Sequence, residues 1–342
     1  MSLLFDKHRL IASPALAPGE FGEAGETGDH RNADAVLTIG LVNNMPDTAL
    51  QATERQFIDL LKAAAGKRVV NLHCFSLPSV KRSPAMQSRV ERLYTSTADL
   101  DHLQIDGLIV TGAEPRAAHL AQEPFWGELT DIVDWAQANT RSSIWSCLAA
   151  HAAILHLDGI ERRRLGTKCS GVYQCFKATD DWLTKDVPSP FKVPHSRLNG
   201  LGKRDLIAHG YQVLTESVDA GVDIFAKELR SRFIFFQGHP EYDAASLQRE
   251  YLRDISRYLA GEQDLYPAIP AGYFDTETKR RLASFQKRAS VERKPALSAE
   301  LPALTLRPDI AAGVGAAVIF RNWLEYMSGE AGSASPPTAP RS

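Results

Sequence analysis

The chain has 342 residues, with 39 lysines and arginines against 41 aspartates and glutamates, a formal net charge of −2. Such a balance gives no electrostatic footprint for nucleic acid or an anionic membrane, and no apolar run approaches the ~20 residues of a membrane helix. With no hydrophobic leader and no Cys-x-x-Cys pair among Cys74, Cys147, Cys169 and Cys175, the expectation is a soluble cytoplasmic protein without disulfides or a metal site.

Residues 1–34, rich in Gly, Pro, Glu and Asp, read as a mobile arm. Residues 35–43 form an apolar run suited to a strand buried on both faces. After the loop Asn44-Met45-Pro46-Asp47, Thr48 is the expected N-cap of an amphipathic helix that runs through Phe57, Leu60 and Leu61 to Ala65 and closes at Gly66. A second strand follows at 69–75. The polar stretch with Lys81, Arg82 and Ser83-Pro84 reads as a surface excursion. Residues 106–113 form a strand ending in a glycine-bearing loop, and 124–139 a helix with Trp126, Leu129, Ile132, Val133 and Ala136 on one stripe.

At Ser142–Leu155 an apolar strand pattern changes at Cys147 into an alanine-rich helical one. A thiol on such a strand-to-helix turn stands above the sheet end, where the helix N-terminus favours thiolate. The backbone N–H groups of Leu148 and of the Gly112-Ala113 loop are the candidate oxyanion hole. The repeated strand, loop, helix order predicts an α/β fold: a mostly parallel sheet with helices on both faces, flavodoxin-like in its winding. Ligands in that architecture bind beyond the carboxyl ends of the strands, where Gly112 and Cys147 fall.

Beyond the nucleophile helix the pattern turns to shorter strands. Residues 169–176 alternate, Pro194-His195-Ser196-Arg197 reads as a loop, and 213–214 with 223–226 read as a strand pair. An aromatic strand from Arg232 runs into Gly238-His239-Pro240-Glu241, followed by a helix over 244–259. Residues 262–327 form an expected C-terminal extension packing on a catalytic domain of 35–261, with helices over 276–288 and 309–327; the tail 328–342 is expected to be disordered. His239 and Glu241 are two residues apart at a strand end, so both side chains can point the same way. An imidazole there serves Cys147 as base and then acid, and Glu241 fixes its tautomer.

Taken in order, Asn44-Met45-Pro46, residues 107–113, Cys147, Ser170-Gly171-Val172-Tyr173, Pro194-His195-Ser196-Arg197, residues 238–243 and residues 250–254 resemble the homoserine O-acyltransferases often called homoserine O-succinyltransferases, which use a class I glutamine amidotransferase-like fold. The resemblance spans roughly residues 35–327. It implies acyl transfer from acyl-CoA, as co-substrate and with no other cofactor, to the hydroxyl of homoserine through a cysteine thioester, early in methionine synthesis. Cys147 matches the nucleophile, His239 the proton acceptor and Glu241 its partner; Lys168, Ser196 and Arg253 match substrate-binding positions. The implied partners are small molecules, neither nucleic acid nor membrane, with room for a homodimer.

Two positions depart from the family pattern. Asp47-Thr48 follows Met45-Pro46 where many relatives have lysine, and Arg116 stands at the position that selects acyl size, glycine in succinyl users and glutamate in acetyl users. A guanidinium there pairs with a succinyl carboxylate, fills the pocket and leaves acetyl, or points to solvent; the pairing slightly favours succinyl. Serine, shorter than homoserine by one methylene, is an open alternative acceptor. A glutamine amidotransferase or amidase is the alternative of another class, although Trp145 and Ala149 stand where such enzymes usually carry glycines.

Overall fold

The computed structural model describes residues 8–11, 36–307 and 313–329. Its ten-stranded sheet comprises β1 (His8–Ile11), β2 (Val36–Val42), β3 (Val69–Phe75), β4 (Gly107–Val110), β5 (Ser142–Ser146), β6 (Arg163–Lys177), β7 (Phe191–Gly200), β8 (Gln212–Ser217), β9 (Gly221–Glu228) and β10 (Arg232–Phe236). The spatial order is β1-β3-β2-β4-β5-β10-β9-β8-β6-β7. Neighbours from β3 to β10 pair in parallel, and those from β10 to β7 pair antiparallel. β4, β5 and β10 are buried at every residue, which is why they carry small and apolar residues on both faces, with Arg232 at the start of β10.

Eight helices complete the described chain: α1 (Asp47–Ala65), α2 (Pro84–Leu93), α3 (Trp126–Asn139), α4 (Leu148–Asp158), α5 (Lys203–Ala208), α6 (Ser246–Leu259), α7 (Thr276–Glu292) and α8 (Gly313–Ser328). On one face of the sheet, Phe57 and Leu61 of α1 meet Phe320 and Trp323 of α8 in a single apolar cluster. On the other, α3 and α4 cover Trp145, Phe233 and Phe235, with Trp145 stacked on Phe233 at 5.6 Å. A third cluster joins α6 and α7 through Tyr251, Leu282 and Phe285. The result is the expected α/β sheet covered on both faces, extended by an antiparallel wing.

Four local expectations are corrected. Residues 194–197 are not a loop: they lie within β7, with His195 opposite Gly171 and Ser196 opposite Ser170 on β6. Their inward face is polar, since His195 and Arg197 are buried, and a period-two apolar pattern does not form there. Helix α1 begins at Asp47 with Pro46 rather than Thr48 as N-cap. Arg82 is no surface residue; its side chain is 1% exposed, and Ser83 caps α2, accepting from the Met86 N–H at 3.4 Å. Within the stretch read as a mobile arm, β1 pairs antiparallel with β3.

The rest of that arm, and the tail after Gly329, lie outside the described residues. α8 is seated deep in the molecule. Trp323 is fully buried and donates to Ser142 Oγ at 3.0 Å, and a Cβ on Gly107 would stand 2.8 Å from the Trp323 ring. Among the described residues no helix is long and apolar enough to cross a membrane.

Candidate active site

Cys147 is the N-cap residue of α4, with φ 52° and ψ −107°, outside the regions that L-residues favour. Its N–H donates to the Phe236 carbonyl at 2.7 Å, continuing the β5–β10 ladder one step past the register pair Ser146–Phe236. The turn is thereby tied to the strand that leads into Gln237-Gly238-His239. The thiol of Cys147 lies within electrostatic reach of the imidazole of His239.

His239 is held from several sides. Its Nδ1–H donates to Glu241 Oε1 at 2.8 Å, its ring stacks on Tyr242 at 4.2 Å between centroids, and its backbone N–H donates to the Pro194 carbonyl at 2.7 Å. His239 and Glu241 are both buried. Burial opposes the imidazolium, but Glu241 and Cys147 outweigh it and hold the ring's pKa well above the usual histidine value.

The first loop positions the candidate oxyanion donors. The Asn44 N–H donates to Thr111 Oγ1 at 2.9 Å, its Nδ2 to the Thr111 carbonyl at 3.4 Å, and its Oδ1 accepts from the Leu77 N–H at 3.0 Å. One side chain thus ties together the ends of β2, β3 and β4. Gly112 is brought so near α4 that a Cβ on it would stand 2.9 Å from Leu148 Cβ and 3.2 Å from the Leu148 nitrogen. Asp47, which follows Met45-Pro46, pairs with Arg82 at 3.5 Å, and Arg82 also donates to the carbonyls of Met45 and Asn43.

Lys168, Ser196 and Arg253 come together around α6. Lys168 Nζ lies 2.7 Å from Asp254 Oδ2 and 3.6 Å from Glu250 Oε2. Ser196 donates to Glu250, and Arg253 donates to Asp254 at 2.9 Å. Glu250 is the centre of this group and was not singled out by sequence reasoning, although its spacing to Arg253 and Asp254 marks one helix face. It also accepts from the Tyr242 hydroxyl at 2.6 Å, so the group is linked through Tyr242 to His239. Burial pushes the Glu250 carboxyl up, but Lys168, Ser196 and Tyr242 bring it below its ordinary value.

Arg116 is exposed. Its backbone N–H and that of Ala117 donate to Glu123 Oε1 at 2.7 and 2.8 Å, and Glu123 is itself buried. Behind His239 lies a further group without a reading from sequence. Cys175, His195 and Asp223 are buried and bring donor atoms within 4.8 Å of one another, with His195 Nε2 at 3.4 Å from Asp223 Oδ1. Burial, joined by the nearby Arg197 and His239, keeps His195 neutral, and burial raises the Asp223 carboxyl to about 6.

A thiol at a strained strand-to-helix turn, a buried histidine–glutamate pair near it and a glycine-bearing loop beside it give the class: an α/β protein with the side chains of a thiol-dependent acyl-transfer or amide-hydrolysis site. A family model described as homoserine O-succinyltransferase matches residues 22–333, and the chain belongs to that family. It is 58% identical to the homoserine O-succinyltransferase of Rhodopseudomonas palustris over 96% of this chain and 100% of the relative. It is likewise 58% identical to that of Bradyrhizobium japonicum over 96% of this chain and 99% of the relative. Among solved structures, a glutamine amido transferase from Methylobacillus flagellatus covers 86% of this chain at 14% identity, with a TM-score of 0.47.

Proposed function

We propose that the protein transfers a succinyl group from its CoA ester to the hydroxyl of L-homoserine, by way of a thioester on Cys147, in cytoplasmic methionine synthesis. The observation that carries this reading is the approach of Cys147 to the His239–Glu241 pair beside the Gly112–Leu148 amides. In the first half-reaction His239 takes the thiol proton, the sulfur attacks the acyl carbonyl, and the oxyanion is met by backbone N–H groups of Leu148 and of the Gly112-Ala113 loop. The C–S bond to CoA then breaks and His239 returns its proton to the departing thiolate. In the second, His239 takes the homoserine hydroxyl proton, the oxygen attacks the thioester, and the Cys147 sulfur leaves.

The amino-acid acceptor carries both charges, and the α6 face offers both. Arg253 and Lys168 suit its carboxylate, Glu250 its ammonium, and Ser196 lies against Glu250. Arg116, on the loop that begins at Gly112-Ala113, borders the acyl group. Mixing the enzyme with succinyl-CoA without acceptor tests the scheme: one equivalent of CoA is released in a burst and a succinyl mass is found on the peptide holding Cys147. Absence of both, with steady turnover once homoserine is added, would exclude the thioester. Glutamine hydrolysis without acyl transfer would assign the site to an amidase instead, and serine in place of homoserine checks the acceptor.

A further inference from the structure

We infer that Tyr242 ties the acceptor subsite to the base: its ring fixes the plane of the His239 imidazole and its hydroxyl fixes Glu250, so that the acceptor's amino group is held at a set distance from the group that takes its hydroxyl proton. This rests on the acyl-transfer reading above and assigns a positioning residue to its second half-reaction.

Tyr242 follows His239 by three residues in the segment between β10 and α6. Its N–H donates to the His239 carbonyl at 3.2 Å, a turn that folds the phenol back over the imidazole. The two rings lie 4.2 Å apart between centroids and are inclined by 16°, so one face of His239 is covered. Glu241 holds the imidazole at Nδ1, 2.8 Å from Oε1. That bond fixes the direction of the ring and leaves rotation about it open; the stacked tyrosine closes this freedom.

The far end of Tyr242 reaches α6. Its hydroxyl donates to Glu250 Oε1 at 2.6 Å, and Ser196 donates to Glu250 Oε2. Both carboxylate oxygens are thereby oriented, yet the side chain keeps 20% of its exposure, so an ammonium group can still approach it. Lys168 Nζ stands 3.6 Å from Oε2 and has its nearer partner in Asp254 at 2.7 Å. Without the phenol, Glu250 loses one of its two oriented donors and is drawn towards Lys168, away from the base. The acceptor carries its ammonium and its hydroxyl on one short chain, so a displaced ammonium anchor displaces the oxygen that must meet His239. The half-reaction with acyl-CoA places no ammonium there and needs only the stack.

The test is steady-state kinetics with succinyl-CoA and homoserine varied against each other. In a two-step exchange through a covalent intermediate, kcat/KM for succinyl-CoA reports the first half-reaction and kcat/KM for homoserine the second. Tyr242→Phe keeps the ring and loses the hydroxyl: kcat/KM for homoserine is expected to fall about tenfold or more, while that for succinyl-CoA stays within about twofold of wild type. Tyr242→Leu, which loses the stack as well, lowers both by about tenfold. In a Glu250→Ala background Tyr242→Phe costs nothing further with homoserine, because the hydroxyl has no carboxylate left to hold. An equal loss with both substrates in Tyr242→Phe places the hydroxyl in the scaffold and overturns the inference. So does the absence of loss with either substrate, and so does a full additional loss in the Glu250→Ala background. Failure of the wild type to release CoA from succinyl-CoA or to acylate homoserine would instead sink the proposed function.

Discussion

The N–H of Cys147 donates to the carbonyl oxygen of Phe236 at 2.7 Å, so the nucleophile turn and the strand that delivers His239 are joined by one hydrogen bond. The backbone of Cys147 accepts an unfavourable φ of 52° to make that bond. Strain of this kind costs about 1–3 kcal/mol, and glycine relieves most of it while losing more entropy on folding. Cys147→Gly is therefore expected to abolish acyl transfer and raise Tm by roughly 1–2 °C, for a net gain of about 1 kcal/mol. Cys147→Ala, which keeps the Cβ, is equally inactive but melts no higher than the wild type. Calorimetry of the two variants decides the matter, and equal melting points would refute stored strain at the turn.

Gly112 sets the width of the candidate oxyanion hole. Because an added methyl would stand 2.9 Å from Leu148 Cβ, Gly112→Ala must displace either the loop or the start of α4. Donors misplaced by a few tenths of an ångström lose much of their hold on a developing oxyanion, and kcat is expected to fall about 10²-fold. Asn44 and its partners remain, so Tm should change little. Stopped-flow measurement of CoA release would show the first half-reaction slowed; a burst at the wild-type rate would remove these amides from the chemistry.

What was legible from sequence follows burial. β2, β4, β5 and β10 sit inside the sheet with helices on both sides, so their residues are mostly apolar or small, and the change of period at Cys147 is a direct imprint of the turn. Polar groups in the interior left no such imprint. His195 and Arg197 form the inward face of β7 and read as a loop, while Arg82 was taken for surface although its side chain is 1% exposed. Glu250 and Glu123 are charged residues whose partners lie on other segments, and only the fold brings those partners together.

Glu241 is the reason His239 favours its protonated form. A histidine whose folded pKa is raised contributes stability that is complete below its unfolded pKa of about 6.5 and is lost as pH rises through the folded value. Glu241→Gln removes the anion and leaves burial as the stronger influence on the ring. The variant is expected to be less stable than wild type near pH 6, with the gap closing at alkaline pH, and to lose about 10²-fold or more in kcat through a poorly oriented imidazole. NMR titration of the His239 ring should show its pKa displaced downward; an unmoved titration would contradict the pairing.

Asp223 gives the same direction of pH dependence from a different cause, burial of its own charge. Its carboxyl is raised to about 6 by burial, against hydrogen bonds from Thr215, Cys175 and the Gly238 amide and the nearby Arg197. The folded state thus holds the proton more tightly than the unfolded chain. Stability is full below the unfolded pKa of about 3.9 and falls as pH rises towards 6, above which the penalty is constant, at most about 3 kcal/mol. Asp223→Asn stays neutral throughout, its amide oxygen able to face His195 and its NH2 the Thr215 hydroxyl. The melting temperature of the variant relative to wild type is therefore expected to climb between pH 4 and pH 7 and then level off. A difference that stays flat across that range would show that Asp223 does not titrate there and that another group carries the proton in this buried cluster.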